Sequence, residues 1–109
     1  VYQGGVSMQL IADMVDEIME EYDDAEKYAK KAIEFQENRP SLAGKYAAMA
    51  KQELEHGDKL HSEIVTIIQE HRAKNGPPPE PMMQVYNWEH KKMIDHVARV
   101  KALLSVVKM

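Results

Sequence analysis

Apolar residues recur at steps of three and four along almost the whole chain, and this periodicity is the strongest constraint on the fold. It is the pattern of α-helices that each bury one face. In the first segment it comprises Ile11, Val15, Ile18, Tyr22, Ala25, Ala29, Ala32 and Gln36. In the second it comprises Leu42, Tyr46, Met49, Glu53, His56, Leu60, Ile64, Ile67 and His71. In the third it comprises Met82, Tyr86, Glu89, Met93, His96, Val100, Leu103 and Val107. No segment alternates in the manner of a strand, so the sequence predicts an all-α fold.

Two breaks separate the three segments. At the first, Pro40 suits the start of a helix but cannot continue one. At the second, Gly76 suits a helix-ending left-handed conformation, and the prolines after it form a stiff spacer. We therefore expect helices near residues 7–37, 41–74 and 82–108, a loose tail at residues 1–6 and a Pro-rich linker at residues 75–81. Each helix would be about 40–50 Å long, and the short first connection makes the first two antiparallel neighbours.

Length and composition limit the classes of function. The chain of 109 residues is expected to form a single domain, 1–109, with a core small enough to favour dimerisation. Because it has no cysteine, oxygen atoms and imidazoles must hold any metal. The net charge of −4 provides no basic patch for nucleic acid. With no run of about 20 apolar residues and no signal-peptide pattern, we expect a cytoplasmic protein that does not enter the membrane.

Charged and polar residues interrupt the apolar stripes where a core is expected. Glu53 and His56 occupy consecutive stripe positions on the second helix, and Glu89 lies on the third. Glu21 lies at the edge of the first stripe. The Glu-x-x-His spacing puts both side chains on one helix face, where both can reach one ion. Since buried charges need a partner or a metal, we predict metal ligation by Glu21, Glu53, His56 and Glu89.

Simpler interpretations exist for single residues. Glu53 could pair with Lys51 or Lys59, and His56 could be a hydrogen-bonded core histidine. Three other histidines are interpreted as peripheral: His61 and His71 on the second helix and His90 on the third. Carboxylates at the stripe of all three helices nevertheless favour a metal site.

The segment Glu53-Leu54-Glu55-His56-Gly57-Asp58-Lys59-Leu60 resembles the second-helix metal motif of bacterioferritins and rubrerythrins. Glu21, with Tyr28 seven residues later, resembles the first-helix pattern of that family, and the similarity covers about residues 18–67. The resemblance implies a ferritin-like antiparallel bundle with a non-haem di-iron centre. It also implies that Tyr28 is a hydrogen-bond donor or electron source near the metals.

Two departures from the family pattern bear on the site. Where the family has an alanine three residues after the first glutamate, this chain has Asp24, and Ala25 follows. This leaves Glu20, Asp24 or Glu26 as alternatives to Glu21. In addition, a complete bundle has four helices and two Glu-x-x-His motifs, whereas this chain has three helices and one motif.

Because one chain provides only half of such a site, we expect two copies of the chain to assemble around it. A two-fold axis through the site would bring together four carboxylates and two imidazoles. Short encapsulated ferritins, which the chain resembles in length and motif content, complete their site in this way, and an encapsulating shell protein is an implied partner. Alternatively, Glu89, with or without His96, would complete a site within one chain. These two lie about 10 Å apart along the helix, too far to share one ion.

The expected function is ferroxidase-type oxidation of Fe(II), serving iron storage or protection against oxidative stress. One alternative is a metal-free helical homodimerisation module in which the same residues form buried salt bridges. Another is a metal-binding protein without redox turnover.

Overall fold

The computed structural model describes residues 3–107, which fold into three α-helices. The helices are α1 (Gln3–Phe35), α2 (Pro40–Asn75) and α3 (Glu80–Ser105). The prediction of an all-α fold is confirmed, because no strand occurs between residues 3 and 107. Within the same range, no helix is both long enough and apolar enough to cross a membrane.

Helix α1 begins earlier than the sequence predicts. It starts at Gln3 instead of near residue 7, so residues 3–6 are helical where a loose tail was expected. The pair Gly4-Gly5 suggested a tail because glycine lowers helix propensity, but α1 continues through both residues. Residues 1 and 2 of the expected tail lie outside the described residues.

The two breaks lie where the sequence places them. Pro40 is the first residue of α2, and the Arg39 N–H before it bonds to the Phe35 carbonyl oxygen at 2.8 Å. Gly76 follows α2 with a φ of +76°, a conformation that glycine adopts without strain. Its N–H bonds to the Arg72 carbonyl oxygen at 2.9 Å, which closes the last turn of α2.

Helix α1 forms the centre of an elongated molecule that measures 58 × 20 × 16 Å. It packs against α2 along one side and α3 along another, whereas the backbones of α2 and α3 come close at very few points and are joined mainly by side chains such as His61 and His90. Its predicted stripe is confirmed, with Ile18, Ala25 and Ala29 fully buried. Because a single helix contacts both of the others, α1 determines how α2 and α3 are placed.

The buried face of α2 differs from the predicted one. It is made of small and apolar residues, namely Ala43, Ala47, Ala50, Leu54, Gly57 and Ile64. Leu42 and Met49 of the predicted stripe are exposed, so the true face is rotated by about one residue. The prediction that Glu53 and His56 occupy core positions is therefore wrong: the side chain of Glu53 is 21% exposed and that of His56 is 54% exposed. Alanines and a glycine let the two helix backbones approach closely, which large side chains would prevent.

On α3 the predicted stripe agrees with the structure. Met93, His96 and Val100 are buried against α1. Tyr86 and Leu103 pack at the margin of the same core.

Candidate metal centre

Two carboxylates and an imidazole converge at the surface between α1 and α2. The Nδ1 atom of His56 lies 3.6 Å from Oε2 of Glu21 and 3.8 Å from Oε1 of Glu53. One donor atom from each of the three residues lies within 4.8 Å of the other two, close enough for them to hold a metal ion. We call these three residues the carboxylate–histidine cluster.

A close helix contact brings the cluster together. The ring of Tyr22 packs against Gly57, and a Cβ atom at residue 57 would lie 2.3 Å from Cε1 of that ring. Tyr22 directly follows Glu21, and Gly57 directly follows His56, so this contact fixes how α1 and α2 align at the cluster. The hydroxyl of Tyr22 donates a hydrogen bond to Oδ1 of Asp58 at 3.1 Å. Replacing the glycine would therefore disturb the cluster without altering any of its donors.

The carboxylates of the cluster repel one another. A hydrogen bond shared with Glu21, partial burial and the negative charge of Glu21 raise the pKa of Glu53 to about 7, with Asp24 adding to the effect and His56 opposing it. Among the described residues, no lysine or arginine forms an ion pair with Glu21 or Glu53. A cation would relieve this repulsion, since opposite charge favours the ionised carboxylates.

This electrostatic arrangement predicts the pH dependence of stability in the metal-free protein. The pKa of Glu53 rises from 4.5 to about 7 on folding. Between these two pH values, the folded chain therefore holds a proton on Glu53 that the unfolded chain has lost. The free energy of unfolding should therefore fall as pH rises from about 4.5 to 7, by on the order of 1 kcal/mol once solvent screening is allowed for.

Thermal unfolding measured between pH 4.5 and 8 tests this prediction against the Glu53→Gln variant. The variant cannot titrate at this position and should lose that part of the slope. Equal slopes in the two proteins would show that Glu53 is not the group responsible.

The donor set suits a hard or borderline divalent cation. Two carboxylates and one imidazole match the ligands that iron, manganese and zinc accept in proteins. Three protein ligands leave coordination positions open, as catalytic sites require. The cluster can therefore bind an ion and still admit another ligand.

Two residues predicted to act at the site lie apart from the cluster. Glu89 is on α3, where it pairs with Nζ of Lys92 at 3.1 Å, and it is not among the converging donors. Tyr28 is about 10 Å along α1 from Glu21, given the rise of a helix. Its ring stacks on Tyr46 with centroids 6.0 Å apart. Glu89 therefore does not complete the site within this chain.

The alternative acidic residues of α1 are not among the converging donors. Glu26 bonds to Arg99 of α3, and this bond lowers the pKa of Glu26. His96 is also turned towards that side of α1, with its Nε2 atom 3.6 Å from Asp23 and 3.7 Å from Glu26. Asp24 adds negative potential at Glu53 but is not one of the converging donors. Glu21 is thus the α1 residue that the fold places in the cluster.

Two features of this region were not predicted from the sequence. Tyr22 was expected only as a residue of the core stripe, whereas its hydroxyl also donates a hydrogen bond to Asp58. His61 and His90 were expected at the periphery, whereas both are half-buried and their rings stack across the α2–α3 boundary. The one sign of a close helix contact in the sequence is Gly57, the small residue directly after the Glu-x-x-His motif.

Comparison of the chain with known protein families, with curated proteins and with solved structures gave no match. The resemblance to bacterioferritins and rubrerythrins therefore rests on the motif residues of the sequence.

Proposed function

We propose that this chain binds iron at Glu21, Glu53 and His56, and that two copies complete a di-iron centre with ferroxidase-type activity. The convergence of two carboxylates from different helices on one imidazole is the observation that carries the proposal. The raised pKa of Glu53 supports it, because the cluster holds more negative charge than its surroundings balance.

One chain supplies half of a di-iron carboxylate site. Such sites take a glutamate from each of two helices and a Glu-x-x-His motif from each of two others. A second copy related by a two-fold axis would raise the donor set to four carboxylates and two imidazoles. The exposed side chain of His56 is available to such a copy. Met49, which lies one turn before Glu53 on α2 and is 38% exposed, offers an apolar contact beside it.

The residues of the cluster have separate roles in this proposal. Glu21 and Glu53 neutralise the charge of the bound ions and favour Fe(III) over Fe(II), since carboxylates are hard ligands. Glu53 gives up its proton when iron binds, so uptake should release protons to solvent. His56 occupies a terminal position and leaves room for oxygen or peroxide as electron acceptor. Tyr28, beyond direct reach of the cluster, is proposed as an electron source and not as a ligand.

The competing function is a metal-free homodimerisation module. His56 lies within ion-pair distance of both carboxylates, so a protonated His56 would link them without a metal. In this case two copies would associate equally well with and without iron.

Iron titration distinguishes the two functions. Anaerobic titration of the metal-free protein with Fe(II) should saturate at one ion per chain, and admitting oxygen should then produce Fe(III) with oxygen uptake. Mass in solution, measured by sedimentation before and after loading, should increase with iron. A dimer that takes up no iron supports the metal-free module, and stoichiometric binding without oxygen or peroxide consumption supports a non-redox metal protein.

A further inference from the structure

An apolar cavity lies at the end of the molecule where α1 begins, α2 ends and α3 begins. Its volume of about 520 Å³ is within the range of ~300–1,000 Å³ that is typical of sites for small organic molecules. The residues that line it are mostly apolar or aromatic, and the polar ones are Asp16, His71, Arg72 and Glu89. A cavity of this composition suits an apolar ligand with a small polar group.

The walls of the cavity come from all three helices and from the connection before α3. Ile11 and Val15 belong to α1, and Ile68 belongs to α2. Tyr86 belongs to α3, and Pro78 lies in the connection, where a run of prolines restricts the backbone. Because four elements surround the space, it differs from a single helix face that another protein would cover. It has the shape of a site for a small molecule.

A guanidinium group at this cavity has no carboxylate partner. The Nη2 atom of Arg72 lies 3.4 Å from the sulfur of Met83, a weak acceptor, and between residues 3 and 107 its side chain forms no other hydrogen bond or ion pair. Glu89, by contrast, is paired with Lys92 at 3.1 Å. A guanidinium group binds a carboxylate through two parallel hydrogen bonds. Arg72 is therefore free to hold an anionic group at the cavity.

Two further polar residues bear on the charge of the ligand. His71 directly precedes Arg72 and is half-buried, and a ring N–H of its imidazole can donate a hydrogen bond to an anion. Asp16 opposes this preference, because it lines the cavity and forms no ion pair within residues 3–107. A cationic ligand would meet Asp16 alone, whereas an anion meets two adjacent donor side chains. The lining therefore favours an anion.

We propose that the cavity binds a straight-chain carboxylate, such as a medium-chain fatty acid, with its hydrocarbon tail among the apolar walls and its carboxylate on Arg72. Removal of the tail from water supplies the affinity. The guanidinium group selects the head group. The site is separate from the carboxylate–histidine cluster, since Glu21, Glu53 and His56 do not line the cavity.

Binding of decanoate to the metal-free full chain, measured by isothermal titration calorimetry, tests the proposal independently of the iron function. Decanol and decyltrimethylammonium have the same tail with a neutral and a cationic head group. Decanoate should bind about tenfold more tightly than decanol, the lower end for a charged hydrogen bond, because Arg72 is exposed. Decyltrimethylammonium should bind more weakly than either. Decanoate should also raise the melting temperature, since it binds the folded chain.

Two substitutions separate the roles of the head group and the tail. Arg72→Gln should remove the preference for decanoate over decanol and leave decanol binding unchanged, and Arg39→Gln, at an exposed arginine outside the cavity, is its control. Ala12→Phe places a ring in the cavity and should abolish binding of both probes. Because Ala12 is exposed, this change spares the core. Ala98→Phe, at an exposed alanine outside the cavity, is the matched control.

Four results would overturn the proposal. Decanol or decyltrimethylammonium could bind as tightly as decanoate, which would show that Arg72 does not select the head group. The Arg72→Gln variant could keep the preference for decanoate, with the same meaning. The Ala12→Phe variant could bind decanoate unchanged, which would place the ligand elsewhere. If the chain binds none of the three probes, the cavity is not a site for such molecules, and a dimer seen by sedimentation would then assign its walls to an interface between two copies.

Discussion

Replacing Glu53 with glutamine or His56 with alanine is expected to weaken iron binding by more than about 100-fold, while the helix content stays the same. The loss of a partner that only supports a metal ligand already costs about 10–100-fold. Both side chains are partly exposed, so their removal leaves no cavity in the core. The substitutions should therefore affect metal binding and leave the fold unchanged. Anaerobic Fe(II) titration measures iron binding, oxygen uptake measures the oxidation rate, and circular dichroism measures the helix content.

Glu55→Gln is the matched control, because Glu55 is an exposed carboxylate on the same helix and lies outside the cluster. It removes the same charge and should leave iron stoichiometry and oxidation rate as they are. If Glu53→Gln and His56→Ala also leave both unchanged, the iron function is wrong. The metal-free dimer with salt bridges then becomes the better account.

Gly57→Ala should destabilise the protein and also weaken the cluster, although position 57 holds no donor. The added Cβ would lie 2.3 Å from Cε1 and 2.8 Å from Cζ of Tyr22, so the ring or the helix must move. Overpacking of this kind costs about 1–3 kcal/mol, against a gain of up to about 1 kcal/mol from better helix propensity. Moving α1 away from α2 separates Glu21 from His56, and iron affinity should fall as well. Chemical denaturation and Fe(II) titration measure the two effects.

Tyr22→Leu supplies the control for the steric cause, since leucine lacks the ring atoms that the new Cβ would meet. In the Tyr22→Leu background, Gly57→Ala should be close to neutral or stabilising. If the alanine is equally destabilising in both backgrounds, contact with the ring is not the cause.

Much of the fold could be predicted from the sequence. The helical period of the apolar residues and the two proline-containing breaks determine three helices. The stripe on α1 was correct because its large and small apolar residues all face inwards, from Ile18 to Ala29. The proximity of Glu53 to His56 was also foreseen, because the spacing of residues along one helix is a local property of the sequence.

Tertiary structure decided which face of α2 is buried and what surrounds the cluster. Leu42 and Met49 are the larger apolar residues, yet close packing on α1 selected the alanine face. The raised pKa of Glu53 depends on a carboxylate 32 residues earlier in the chain, which only folding brings near. The contact between His61 and His90 also depends on folding, because the two residues belong to different helices. Periodicity fixes how residues are arranged around a single helix, whereas contacts between helices depend on how closely two backbones can approach.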